Sequence, residues 1–312
     1  MTRPTAVVLR AIGLGDFVTG LPAFRLLRDT LPDHHVTAVV PAPFAGELLA
    51  TGTVDAVLPR AGLAPDLDLP PRPDVAVDLH GNGPASRDPL LAAGPGRLVA
   101  FEHGGIRWDP AEHEVTRWCR LVREGFATTA PDPPVRGVLP THPAPARYGP
   151  GATVVHPGAA FPSRRWPVQR FAQVAAGLTG RGHRVVVTGT PGEAELVGAV
   201  VAAAPGAVAA TDLTVAELFG LVAHARLVVS GDTGTAHVAS AYGTPSVVLF
   251  GPVAPSRWGP PASPRHRVLW PVLPTDPPGD PHGTTLDPVL ARTAVADVLA
   301  AVETLERSEI AS

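Results

Sequence analysis

The 312-residue chain is 45% hydrophobic and 17% charged with a formal net charge of −3, so at roughly 150 residues per domain it holds apolar material for two packed cores. The acidic balance excludes broad nucleic-acid binding, which needs a basic face. Cys119 is the only cysteine, which excludes an intramolecular disulfide and a cysteine-based zinc site.

Lysine is absent, so apart from histidine every side-chain cation is an arginine, and the one asparagine is Asn82. Along the chain, short apolar runs alternate with helical patterns, the signature of βαβ units and a parallel sheet. Asp16 interrupts the first apolar stretch before a signal-peptide core builds up. Strands are predicted at residues 5–10, 35–40, 54–58, 74–79 and 97–101, with helices at about 18–29, 44–50, 84–92 and 111–124. Residues 130–151 are too rich in proline for helix or central strand and read as a domain linker. The second half restarts with a strand at 152–156, a helix at 168–179, a strand at 183–188 and a helix at 193–203. Within residues 196–210, Pro205 and Gly206 break an apolar run already too short to span a bilayer. A short strand near Ala207 and a helix at 215–223 follow. Next come a strand running into Ser230, a helix holding His237 and a strand at 246–250. A second proline-rich segment, 271–285, precedes a last helix at about 288–307. The expected architecture is α/β, with two Rossmann-like doubly wound domains, 1–145 and 151–312, facing a central cleft. The last helix is free in this reading to pack back on the first domain. A soluble, cytoplasmic chain is the expectation.

In open parallel sheets, ligands sit beyond the carboxyl ends of the strands. Strand one ends in Gly13-Leu14-Gly15-Asp16, where Asp16 is placed either to cap the next helix or to act as a general base. The third glycine, Gly20, comes too late for a dinucleotide fingerprint, and Val40-Pro41 stands where a ribose-binding acid is needed. An NAD site is therefore rejected. Asp78, His80 and Asn82 surround a glycine turn as loop chemistry or as contacts for a polyhydroxylated acceptor. His113 and Arg117 share one face of a helix, which by itself reads as a surface face. In the second half, Arg164 and Arg165 precede a helix and offer an anion site of forked donors. Thr188 and Gly189 end a strand in a glycine loop, after which Glu193 is placed to accept from ribose hydroxyls or to favour the helix dipole. Asp232-Thr233-Gly234 lies between a strand and a helix, with no second Asp-Thr/Ser-Gly in the chain, so it is not a protease dyad. It reads as an anion-binding turn, with Thr233 adding a hydroxyl, Thr235 a backbone N–H, and His237 one turn into the helix.

Together these pieces resemble glycosyltransferase family 9, the heptosyltransferase family. The matching motifs are Gly13-x-Gly15-Asp16 with Leu21-Pro22, His156-Pro157-Gly158, Arg164-Arg165-Trp166-Pro167, Asp232-Thr233-Gly234-x-x-His237 and Phe250-Gly251-Pro252, in family order over most of the chain. The resemblance implies the GT-B fold and inverting, metal-independent transfer of a sugar from a nucleotide-diphosphate donor, such as ADP-heptose, to a hydroxyl of an envelope glycan or small molecule. No cofactor is implied beyond the donor substrate, and no metal. By the same likeness Asp16 is the base, with Gly15, Asp78, His80, Asn82, His113 and Arg117 on the acceptor side. Arg164 takes a place usually held by lysine at the donor diphosphate. Arg165, Thr188, Gly189, Glu193 and Asp232 through Thr235 with His237 complete the donor side. Arginine at 164 changes a point cation into a planar fork. Asp66-Leu67-Asp68 has the form of a metal-binding D-x-D, but it lies among prolines away from any strand end. The reading takes the chain as a monomer and leaves room for peripheral membrane association. Its alternatives are a non-hydrolysing epimerase-like enzyme, which would consume donor without acceptor, and a non-catalytic nucleotide-sugar-binding protein.

Overall fold

The computed structural model describes residues 3–63 and 67–310. The chain divides into two compact units, Met1–Pro140 and Thr141–Ser312, and the division falls within the proline-dense segment.

The first unit runs β1 (Thr5–Leu9), α1 (Leu14–Thr30), β2 (His35–Val40), α2 (Ala45–Ala50), β3 (Ala56–Pro59), β4 (Val75–Asp78), α3 (Pro84–Ala92), β5 (Arg97–Val99) and α4 (Glu114–Phe126). Its five strands are parallel in the order β3-β2-β1-β4-β5. Both faces are covered, so the central strands are continuous Val, Ala and Leu rather than alternating. Val7, Leu9, Val39, Ala76 and Leu90 pack on one face, while α1 and α4 pack on each other. The order reverses between β1 and β4, which makes their carboxyl ends the switch point of this sheet.

The second unit runs β6 (Thr153–His156), α5 (Val168–Gly180), β7 (Val185–Thr188), α6 (Ala194–Ala202), β8 (Val208–Ala210), α7 (Val215–Ala223), β9 (Leu227–Gly231), α8 (Gly234–Tyr242), β10 (Ser246–Leu249), α9 (Pro255–Trp258), β11 (His266–Leu269), α10 (Pro288–Arg292) and α11 (Val295–Ile310). Its six parallel strands lie in the order β11-β10-β9-β6-β7-β8. Here the reversal falls between β6 and β9, so His156 ends one of the strands beside it and Asp232 directly follows the other.

Several elements differ from the sequence expectation, the short helix α9 among them. The edge strand β11, "HRVL", is not expected from the sequence. α1 begins at Leu14 rather than near Val18, because Gly13 ends the extended chain at once. The last helix is two: Asp287 caps α10 through the N–H groups of Val289 and Leu290, Thr293 is extended, and the Asp297 carboxylate accepts from the Ala294 N–H (2.9 Å) to start α11. α11 packs on α5, β10 and β11 and places Val298, Val302 and Leu305 in the core of the second unit.

Candidate active site

In the first unit the carboxyl ends of β1 and β4 lead into the segments that carry Gly15, Asp16, Asp78, His80 and Asn82. Asp16 lies in the first turn of α1, behind the N-cap residue Gly13, which has no side chain to cap with. A Cβ on Gly13 would stand 3.7 Å from Asp16 Oδ2, so the carboxylate faces the start of its own helix. Gly15 and Asp16 are half-buried. Across the switch point, Asp78 is fully buried. It accepts from the His80 N–H (2.9 Å), the Gly81 N–H (3.3 Å) and the Ser86 hydroxyl (2.6 Å), and burial pushes its carboxyl above the usual range. Asp78 therefore builds the turn that presents His80 and the exposed Asn82. His80 is pushed down to about 4 by burial and then by the charge of Arg10. It is a neutral imidazole near pH 7, with Nδ1 buried and unbonded.

The surface face expected for His113 and Arg117 is corrected. α4 begins at Glu114, and His113 is its N-cap, accepting at Nδ1 from the Val115 N–H (3.3 Å). Arg117 is buried, paired with Glu114 (2.5 Å), bonded to the carbonyls of Asp109 (3.0 Å) and Glu112 (2.6 Å), and stacked on Trp108 at 4.1 Å. Glu114 on the same helix face supplies the countercharge that lets this arginine be buried. Of the D-x-D, Asp66 lies outside the described residues, while Asp68 is highly exposed and 3.6 Å from Arg60.

Sequence reading passed over Arg10. It follows β1 directly and is 1% exposed, and its guanidinium contacts the end of β4, α1 and the start of α4. An arginine closing a buried strand, with a glycine one helix turn beyond Asp16, was the available signal.

In the second unit three strand ends contribute. The His156 Nδ1 and Thr188 Oγ1 lie 3.1 Å apart, joining β6 to β7. Gly189 packs against α6, where a Cβ would come within 2.7 Å of Val197. Glu193 closes a capping box, accepting from the Thr190 N–H (2.8 Å) and hydroxyl (3.0 Å). Its other oxygen lies against Gly158, where a Cβ would stand 2.1 Å away. Gly158 of the His-Pro-Gly motif is thus the residue that gives Glu193 its place.

The two adjacent arginines part company. Arg165 is exposed and holds the carbonyl of Ala159 (2.8 Å). Arg164 reaches a turn 68 residues further on, donating from one nitrogen to the Asp232 carbonyl (2.5 Å) and carboxylate (2.9 Å). Its charge therefore serves the start of α8, not the start of α5 as the sequence suggested. Pro167 caps α5, and Trp166 is core, donating to the Thr293 carbonyl (3.1 Å). Asp232 is buried, and burial outweighs Arg164 in raising its carboxyl above the usual range. His237 Nε2 stands 3.7 Å from Asp232 Oδ1, beyond hydrogen-bond distance. α8 opens at Gly234 with no side-chain cap. The Thr233 carbonyl takes the N–H groups of Ala236 and His237, which places those of Gly234 and Thr235 foremost. Beside them, Arg164 Nε, Asp232 Oδ1 and Thr233 Oγ1 are buried and unbonded. Buried polar groups ordinarily find partners, so this cluster of donors and acceptors is shaped for a polar ligand.

Residues 98–277 match the model of glycosyltransferase family 9 (heptosyltransferase), more than half of the chain. Lipopolysaccharide heptosyltransferase 2 of Salmonella typhimurium is 34% identical over 122 residues, 36% of this chain and 34% of that protein. Lipooligosaccharide heptosyltransferase 2 of Haemophilus influenzae is 29% identical over 120 residues, with the same two shares. The chain thus spans about a third of the length of these curated relatives. Among solved structures, the ADP-heptose LPS heptosyltransferase II of E. coli superposes with a TM-score of 0.77 at 21% identity, covering 98% of this chain and 99% of that one. A family 9 glycosyl transferase from Veillonella parvula gives 0.76 at 18% identity, covering 98% and 97%. The shared fold is GT-B, two parallel-sheet units in one chain. With more than half of its length matching the family model and its site motifs at the strand ends, the chain belongs to glycosyltransferase family 9, the heptosyltransferase family.

Proposed function

We propose that the protein is an inverting, metal-independent glycosyltransferase that moves heptose from ADP-heptose to a hydroxyl of an envelope glycan, lipopolysaccharide in the case of its relatives. The observation that carries this reading is the anchoring of Arg164 to the start of α8, beside the unbonded Arg164 Nε and Thr233 Oγ1. The second unit holds the donor. Glu193 faces the ribose hydroxyls, Arg164 with the Gly234 and Thr235 N–H groups holds the diphosphate, and Asp232 and His237 face the sugar. The first unit holds the acceptor around Asp16, His80 and Asn82. The acceptor oxygen attacks the anomeric carbon as Asp16 takes its proton, and the bond to the diphosphate breaks with its electron pair on the leaving oxygen. Arg164 and the helix end stabilise the charge that develops there. One displacement inverts the anomeric configuration.

In this reading the enzyme works as a monomer in the cytoplasm. No helix of the described residues is long and apolar enough to cross a membrane. The test is transfer from ADP-heptose to truncated lipopolysaccharide, with anomeric configuration read by NMR. Donor consumption without acceptor would favour an epimerase-like enzyme instead.

Because Arg164 and the α8 terminus supply the positive charge, transfer is expected to continue in excess EDTA. Activity lost to EDTA and restored by Mg²⁺ or Mn²⁺ would overturn metal independence. One structure of this fold, at 14% identity and a TM-score of 0.64, is an iron-containing dodecameric glycosyltransferase of E. coli, so iron belongs in the same assay.

For the α8 turn, His237→Ala is expected to weaken donor binding by about 1–3 kcal/mol, the value of one buried polar contact. Gly234→Val should weaken ADP binding far more than it lowers the melting temperature, since a branched side chain would shield the helix N–H groups. Calorimetry with ADP and ADP-heptose checks both. Parental affinity in both variants would reduce the turn to a strand-to-helix connection.

A further inference from the structure

We propose that Arg10 is the positioning residue for Asp16, a buried clamp that sets the base by gripping the first turn of α1, and that Gly20 exists to admit it. This inference rests on Asp16 being the base. Arg10 Nε donates to the Asp16 carbonyl at 2.6 Å. One terminal nitrogen donates to the Leu79 carbonyl at the end of β4, and the other reaches Thr19 Oγ1 (3.3 Å) and lies 3.6 Å from Glu114. The Thr19 hydroxyl is itself within reach of the carbonyls of Gly15 (3.0 Å) and Asp16 (3.1 Å), so two side chains fix the same turn. The guanidinium stacks on Trp118, 4.9 Å from its ring centre. Glu114 is held in turn by Trp118 Nε1 (2.5 Å) and Arg117 (2.5 Å). The clamp therefore runs from α4 through Arg10 to the backbone of the base.

Two costs to stability meet at this point. A fully buried arginine is desolvated, and replacing a buried ion pair by apolar groups is often neutral or stabilising. A glycine inside a helix is weaker than alanine, yet a Cβ on Gly20 would stand 2.2 Å from Arg10 Nε and 2.8 Å from Cζ. Stability does not account for this combination. Positioning does, because a planar fork bonds two carbonyls and a hydroxyl at fixed angles, and a base displaced by about 1 Å loses on the order of 10² in rate.

The test is a cycle of Gly20→Ala, Arg10→Met and the double variant, with kcat and acceptor KM measured on ADP-heptose and truncated lipopolysaccharide well below each melting temperature. ADP affinity is measured alongside. Each single variant should lower kcat by about 10²-fold, with ADP affinity and acceptor KM unchanged. Gly20→Ala should add nothing once Arg10 is gone. Arg10→Lys should fall in between, and it replaces Arg10→Met in the cycle if that variant does not fold. Parental kcat in folded Gly20→Ala, or losses that multiply in the double variant, would overturn the proposal. Asp16→Asn separates the two ideas. If it keeps turnover, the base assignment fails; if it loses turnover while Gly20→Ala keeps it, only the clamp fails.

Discussion

Asp16→Asn is expected to lower turnover by at least ~10²-fold, the usual scale for loss of a general base, with ADP affinity unchanged. The melting temperature should move little. Asp16 sits in the first turn of α1 and not at its N-cap, so the substitution removes a helix-end charge worth about 0.3–1 kcal/mol. Arg10 and Thr19 grip the backbone carbonyl of residue 16, which asparagine retains. Steady-state kinetics beside thermal unfolding decide between base and cap. Near-parental turnover with a lowered melting temperature would leave Asp16 as a helix-end charge only.

Arg164→Met should have the largest combined effect on stability and binding. Arg164 keeps part of its surface in water while Asp232 is buried, so loss of the pair should cost about 3 kcal/mol, the low end for stranding a buried charge. The deficit should depend on pH. Burial raises the Asp232 carboxyl above its ordinary value and Arg164 opposes that rise. A raised acid costs stability only when ionised, so the cost is absent below the unfolded pKa of about 3.9 and grows as pH rises toward the folded value. Removing Arg164 raises the folded value further and deepens the cost. Urea unfolding should show a small deficit near pH 4 and the full one near pH 7.5. ADP affinity should fall at least ~10-fold, as for a charged hydrogen bond. A deficit independent of pH together with parental ADP affinity would refute both assignments.

Much of this was legible from local pattern. Apolar runs such as "AVVL", "VAVD" and "LVVSG" are strands because a parallel sheet covered on both faces has no polar side to alternate with. Glycine turns after β1, β7 and β9 located the strand ends where Asp16, Glu193 and Asp232 sit. What failed was whatever depended on a partner distant in sequence. Arg164 and Arg165 are indistinguishable as a dipeptide, and only packing sends one to Asp232 and the other to Ala159. Arg117 at helical spacing from His113 looks solvated until Glu114 and Trp108 are seen to enclose it. β11 is a strand only because β10 offers it an edge.

By itself the sequence determined two parallel α/β units, the carboxyl-edge location of the polar motifs and the family they match, because hydrophobic period, glycine turns and motif spacing are local properties of the chain. The tertiary structure alone decided that Arg164 serves the start of α8, that Asp78 and Arg117 are buried under the site, and that Arg10 runs beneath the turn of Asp16 through a gap left by Gly20. Those roles follow from which groups are desolvated together, and desolvation is a property of the packed volume around a residue, not of its neighbours in sequence.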